Sequence, residues 1–97
     1  MRIAAVPIDH PEVHSIQPTW HCLKRFRERH TIEPGAQAAL DGLGQILRDA
    51  DITTRPPRGV RNPGDWTLWA VRDRLAFPLV GEGQGRYVAP TCLAAGR

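Results

Sequence analysis

Apolar positions recur at two periods along this chain, and the change from one to the other marks where helix gives way to strand. From Trp20 to His30, WHCLKRFRERH, a 3.6-residue period gathers Cys22, Leu23 and Phe26 on one side. His21, Arg25 and Arg29 fall in a separate row at i, i+4 and i+8. The spacing predicts a helix that ends near His30, with Thr19 as its N-cap and Pro18 just outside. Thr31, Pro34 and Gly35 break the pattern, and Pro34 falls in the first turn of a second helix. In that helix Ala39, Leu40, Leu43, Ile46, Leu47 and Ala50 recur at three- and four-residue steps, opposite Gln37, Asp41, Gln45, Arg48 and Asp49. Gly42 and Gly44 each cost a helix interior about 1 kcal/mol relative to alanine, so close approach to a neighbouring element is expected there.

Beyond Asp65 the period falls to two. Trp66 to Val71 reads as a strand, Arg72 to Arg74 as a turn, and Leu75 to Val80 as its partner. Gly81 to Gly85 reads as a second turn and Arg86 to Leu93 as the last strand, with Pro78 and Pro90 expected at edges or bulges. Residues 1–18 read as an N-terminal arm: a short strand around Ile3, Val6 and Ile8 interrupted by Pro7, then a connecting loop from Asp9 to Pro18. Residues 51–65, DITTRPPRGVRNPGD, read as a basic proline-rich loop. The expected fold is one α+β domain over residues 1–97, with two N-terminal helices packed on a three- to four-stranded antiparallel meander sheet. The helices cover one face of such a sheet and leave the other face or its rim for a ligand.

Ninety-seven residues allow one modest core, and ordinary apolar and charged fractions favour folding over disorder. The net charge of +3 and sequence pI of about 9.5 suit an anionic partner. Its distribution is more informative. Lys24, Arg25, Arg27 and Arg29 stand against Glu28 alone in the first helix, and Arg55, Arg58 and Arg61 form a second basic run with no acidic residue among them. Two cysteines, Cys22 and Cys92, are too few for a disulfide framework, MRIAAVPI lacks the apolar run of a secretory signal, and a cytoplasmic setting is expected. No segment approaches the roughly twenty apolar residues of a membrane span.

Acid–base work on a phosphodiester needs a group that titrates near neutrality beside a fixed positive charge, and His21 and Arg25 one turn apart have those properties. For His21 a local helix-start hydrogen bond is the other reading, and for Arg25 and Arg29 a solvated face. Thr91 shares a strand face with Tyr87, Ala89 and Leu93 if the last strand is regular, and is either bonded to backbone or a positioning group. Tyr87 either stacks on a base or packs. Trp66 and Trp69 fall on opposite faces of their strand, so at most one can be fully buried against the helices, and the other is a stacking platform for a base, core filling or an antitoxin-facing patch. Arg72 and Arg74 flank a hairpin turn, either as phosphate contacts or as a solvated tip. His10, His14, His21, Cys22, His30 and Cys92 lack metal-ligand spacing, and Gly81 to Gly85 lacks the Lys-Ser/Thr of a phosphate loop, so neither metal nor cofactor is expected.

The run H-x-x-x-R-F-x-x-R-H, followed by an amphipathic helix and a meander ending in V-A-P-T-C-L, resembles small proteins of the RelE-like group. It is most similar to relatives whose first helix carries an H-A-x-x-R-[YFM]-x-x-R signature and whose last strand has a T-V type ending. That group belongs to the wider barnase, EndoU, colicin and RelE assemblage, mostly metal-independent ribonucleases and often toxins of toxin–antitoxin pairs or phage-encoded proteins. The resemblance spans residues 20–93 and departs from the pattern at Cys22 and Pro90. It implies a metal-independent endoribonuclease with His21, Arg25 and Thr91 as catalytic residues. Lys24, Arg29, Arg55, Arg58, Arg61, Arg72, Arg74 and Tyr87 are the candidate contacts to RNA, on the ribosome or free, and an antitoxin or other protein is a further candidate partner. The alternative is a noncatalytic module, a phage or mobile-element inhibitor, that binds nucleic acid or protein through the same basic helix.

Overall fold

In a computed structural model, residues 3–29, 35–60 and 66–95 are described. The chain is α+β. It runs β1 (Val6–Pro7), β2 (Ser15–Pro18), α1 (Trp20–Arg29), α2 (Ala36–Asp49), β3 (Asp51–Thr53), β4 (Trp69–Arg72), β5 (Leu75–Pro78), β6 (Val80–Gly83), β7 (Arg86–Ala89) and β8 (Leu93–Ala94). The strands form two four-stranded sheets, β1-β2-β7-β6 and β3-β4-β5-β8, in place of the expected single meander. Neighbours pair antiparallel except β2 and β7, which run parallel with Ile16 opposite Tyr87 and Pro18 opposite Ala89.

The chain changes sheets at two places. The expected strand from Leu75 to Val80 divides at Leu79, whose amide donates to the Leu68 carbonyl at 2.9 Å, and Val80 then enters the first sheet. Pro78 is buried at the end of β5, beyond the short β5–β8 ladder of Leu75 and Ala76, where its missing N–H leaves no ladder bond unmade. The expected strand from Arg86 to Leu93 likewise stops at Ala89 and resumes at Leu93 in the second sheet. Residues 90–92 cross between the sheets, so strand parity does not extend from Tyr87 to Thr91.

The N-terminal segment is not a loose arm. Ile3, Val6, Val13 and Ile16 are all in the core, and Ser15–Pro18, expected as loop, is an inner strand of the first sheet. The first three residues of the proline-rich stretch form β3 against β4, and residues 61–65 lie outside the described ones.

Both helices bury the faces their periodicity predicts: Cys22, Leu23 and Phe26 from α1, and Ala39, Leu43, Ile46 and Leu47 from α2. Thr19 caps α1, accepting from the Cys22 amide at 3.0 Å. Gly35, at φ 111°, precedes α2 without a side-chain cap; Pro34, expected in that first turn, lies outside the described residues. Trp69 is fully buried, and Trp66 is half-buried outside the strand with its ring edge-on to Trp69 at 5.9 Å and 84°. The two indoles therefore pack on each other rather than on opposite faces.

Close packing does not account for Gly42, since a methyl there would meet the Phe26 ring at 3.8 Å, an ordinary contact. Gly42→Ala is expected to raise stability by about 0.5 to 1 kcal/mol through lower unfolded-state entropy, measured by urea titration; a loss would show that the helix needs the gap.

Candidate functional site

The first turn of α1 is fixed to the crossing segment by one hydroxyl. Thr19 Oγ1 accepts the Cys22 amide and donates to the Pro90 carbonyl at 2.9 Å, while the Thr19 amide donates to the Ala89 carbonyl at 3.2 Å. At the other end of the helix Arg29 Nε donates to the Cys92 carbonyl at 3.0 Å. These bonds seat α1 along residues 89–92 and bring the row of His21, Arg25 and Arg29 onto the same structural unit as Thr91.

Within that unit the candidates differ in their freedom. His21 is exposed on the first turn, and Thr91 is half-buried. Arg25 donates through Nη1 to Glu28 Oε1 at 2.7 Å, so it already holds a carboxylate. The same hydrogen bond holds the Glu28 carboxyl below its ordinary range, helped by the charges of Lys24 and Arg29. Lys24 is on a different side of α1, where it borders a cavity of about 430 Å³ with Trp20, Leu23, Arg27, Glu28 and Ala36.

The remaining basic candidates go to three places. Arg55, Arg58 and Arg74 line one pocket of about 340 Å³. Arg29 lines a cavity of about 200 Å³ with Gly59, Leu93 and Ala94. Arg72 instead donates to the Asp49 carbonyl at 3.3 Å, ending α2, and lies 3.9 Å from Asp73. The Tyr87 ring lies over Gly81, whose Cβ would stand 3.3 Å from it, and packs against the core edge. Arg61 and His30 lie outside the described residues.

Sequence reasoning missed a cleft of about 600 Å³ between residues 3–7, Pro18, Trp20 and the polar side of α2 from Gln37 to Arg48. Its wall is a strand that pattern alone reads as an arm. Among the described residues no three His, Cys, Asp or Glu side chains come together as a metal site, and no helix is long and apolar enough to cross a membrane.

Cys22 and Cys92 are buried free thiols. Burial pushes Cys92 up from 9.0 to about 12. Burial, and after it the neighbouring Cys92, push Cys22 higher still.

Comparison of the chain with protein-family models, with curated proteins and with solved structures finds no match.

Because both thiols stay protonated in the folded chain while unfolded thiols ionise near 9, the unfolded state binds fewer protons above that pH. Stability should therefore fall as pH rises from about 9 towards 12, by up to about 1.4 kcal/mol per pH unit for each thiol. Denaturant titrations of the parent and a Cys22→Ala/Cys92→Ala variant would check this, the variant showing the shallower slope. Thr19→Ser keeps both the donor and the acceptor and should be nearly neutral. Thr19→Asp, a good N-cap that cannot donate to Pro90, should lose about 1 to 3 kcal/mol in the same assay.

Proposed function

We propose that the protein is RNA-directed, a metal-independent endoribonuclease of the toxin type, working in a cytoplasmic setting with RNA, free or ribosome-associated, as substrate and an antitoxin as protein partner. The observation that carries this reading is the solvent-facing row of α1 tied at both ends to residues 89–92 by Thr19 and Arg29. That arrangement supports the RelE-like resemblance at the residues that matter for chemistry.

In this reading His21 takes a proton from the ribose 2′-hydroxyl or returns one to the leaving oxygen. Arg29, whose Nε bond to Cys92 fixes the direction of its guanidinium, holds nonbridging oxygens with Arg25 as charge develops on them. Thr91 positions the strand. For Arg25 to join, it must exchange Glu28 for phosphate, an exchange between two exposed anionic partners at little net cost.

The exposed Arg25–Glu28 pair also suits a second reading, a noncatalytic nucleic-acid- or protein-binding module of the inhibitor kind, since such a module needs only exchangeable surface charge along α1 and no group set for proton transfer.

Pure protein in chelator should cleave a mixed RNA pool, and His21→Ala should reduce the rate by about 100-fold or more with its melting temperature unchanged. Equal cleavage by the variant removes His21 from the chemistry. Absence of cleavage by the parent, with binding that weakens steeply with salt, selects the module.

A further inference from the structure

We propose that the pocket formed by residues 53–58, the β4–β5 hairpin and Ala95 binds a backbone phosphate of a single RNA strand that continues from α1. The identity of the strand rests on the proposed RNA-directed function; the phosphate site rests on the pocket itself. Arg55, Arg58 and Arg74 supply its charge, and Thr53, Pro56, Pro57, Val71 and Ala95 complete its walls. Among the described residues no carboxylate lines it and none of the three arginines has an ion pair. Three arginines bordering one pocket give an anion placed there several positive partners and no negative neighbour.

The backbones that carry these arginines are held before any ligand arrives. Pro56 and Pro57 fix their own φ, and Pro56 disfavours helical backbone at Arg55, which lies in a bend. The Arg55 amide donates to Thr53 Oγ1 at 3.2 Å. The Val60 amide donates to the Pro57 carbonyl at 3.3 Å, closing a turn through Arg58 and Gly59, whose φ of 84° suits glycine. On the opposite wall Asp73 and Arg74 form the two-residue hairpin turn with φ of 51° and 65°, and the Ala95 amide donates to the Arg74 carbonyl at 2.7 Å. The backbone therefore needs little ordering on binding, and what remains is to fix the three exposed arginine side chains, whose planar forks suit phosphate oxygens.

Continuity identifies the phosphate's source. Gly59 belongs to the same turn as Arg58 and also lines the cavity that holds Arg29, Leu93 and Ala94. Arg29 is the last residue of the α1 row, so a positive path leads from His21 past Arg29 and Gly59 to Arg58, Arg55 and Arg74. A free mononucleotide has no use for a path of that kind, whereas a polyanion spans it.

Amide shifts of the ¹⁵N-labelled full chain test the proposal with three probes: inorganic phosphate, a mononucleotide and a short single-stranded oligoribonucleotide. Phosphate and oligonucleotide should both shift Arg55, Arg58, Arg74 and Ala95, and the oligonucleotide should shift α1 as well. Arg55→Ala/Arg58→Ala should weaken oligonucleotide binding roughly tenfold or more and flatten its salt slope by about 0.7 for each phosphate no longer neutralised. Arg74→Gly should weaken binding with an unchanged or raised melting temperature, because Asp-Gly is a favoured pair for that turn and a structural role would lower it. An oligonucleotide that shifts α1 and leaves these four amides still overturns the pocket while the RNA reading stands. Phosphate or mononucleotide binding there without any oligonucleotide binding overturns the strand assignment.

Discussion

One hydroxyl group governs how this chain joins its two sheets to its helices. Proline at position 90 ends β7 because it has no amide to offer the ladder, and its carbonyl is left at the point where the chain must turn away. Thr19 donates to that carbonyl and, with the same oxygen, accepts the Cys22 amide from the first turn of α1. Two backbone groups that would otherwise go unpaired at a half-buried junction are thus satisfied by a single side chain. The parallel pairing of β2 with β7 brings Pro18 level with Ala89, so Thr19 arrives beside Pro90 through register alone.

From that junction the placement of the remaining chemistry follows. The segment that crosses back to the second sheet runs along α1, its Cys92 side chain in the core beside Cys22 and its Cys92 carbonyl bound to Arg29. Apolar side chains point inward from both elements and the polar row of α1 faces outward. The second basic group has a different origin. Its arginines come from a stiff diproline turn and a tight hairpin, elements that need no helix to present them.

Both helices were readable because Phe26, Leu43 and Leu47 recur at the period of their own backbone, a local property. The Thr19 cap was readable for the same reason. β2 was not, since Ser15, Ile16, Gln17 and Pro18 contain one strong strand former and the partner that orders them is residues 86–89, far along the chain. The division of the meander at Leu79 was also hidden, because Phe77, Pro78, Leu79 and Val80 form one apolar run with no polar punctuation at the point where it changes sheets. Residue types at the candidate site were legible, but their grouping was not. Nothing local distinguishes Arg72, which ends α2 through the Asp49 carbonyl, from Arg74, two positions on, which faces the pocket.

The short outer strands have a consequence for how copies of this molecule meet. The first sheet ends on one side at the two residues of β1, where Pro7 offers no donor, and on the other at β6, where the register slips between Gly81 and Gly83. The second ends at β3 and at the two residues of β8. Among the described residues none of the four margins presents a straight row of free amides long enough to template another chain. A domain with this much β structure is thereby guarded against lateral stacking into fibrils, a safeguard written into its borders and not into its charge.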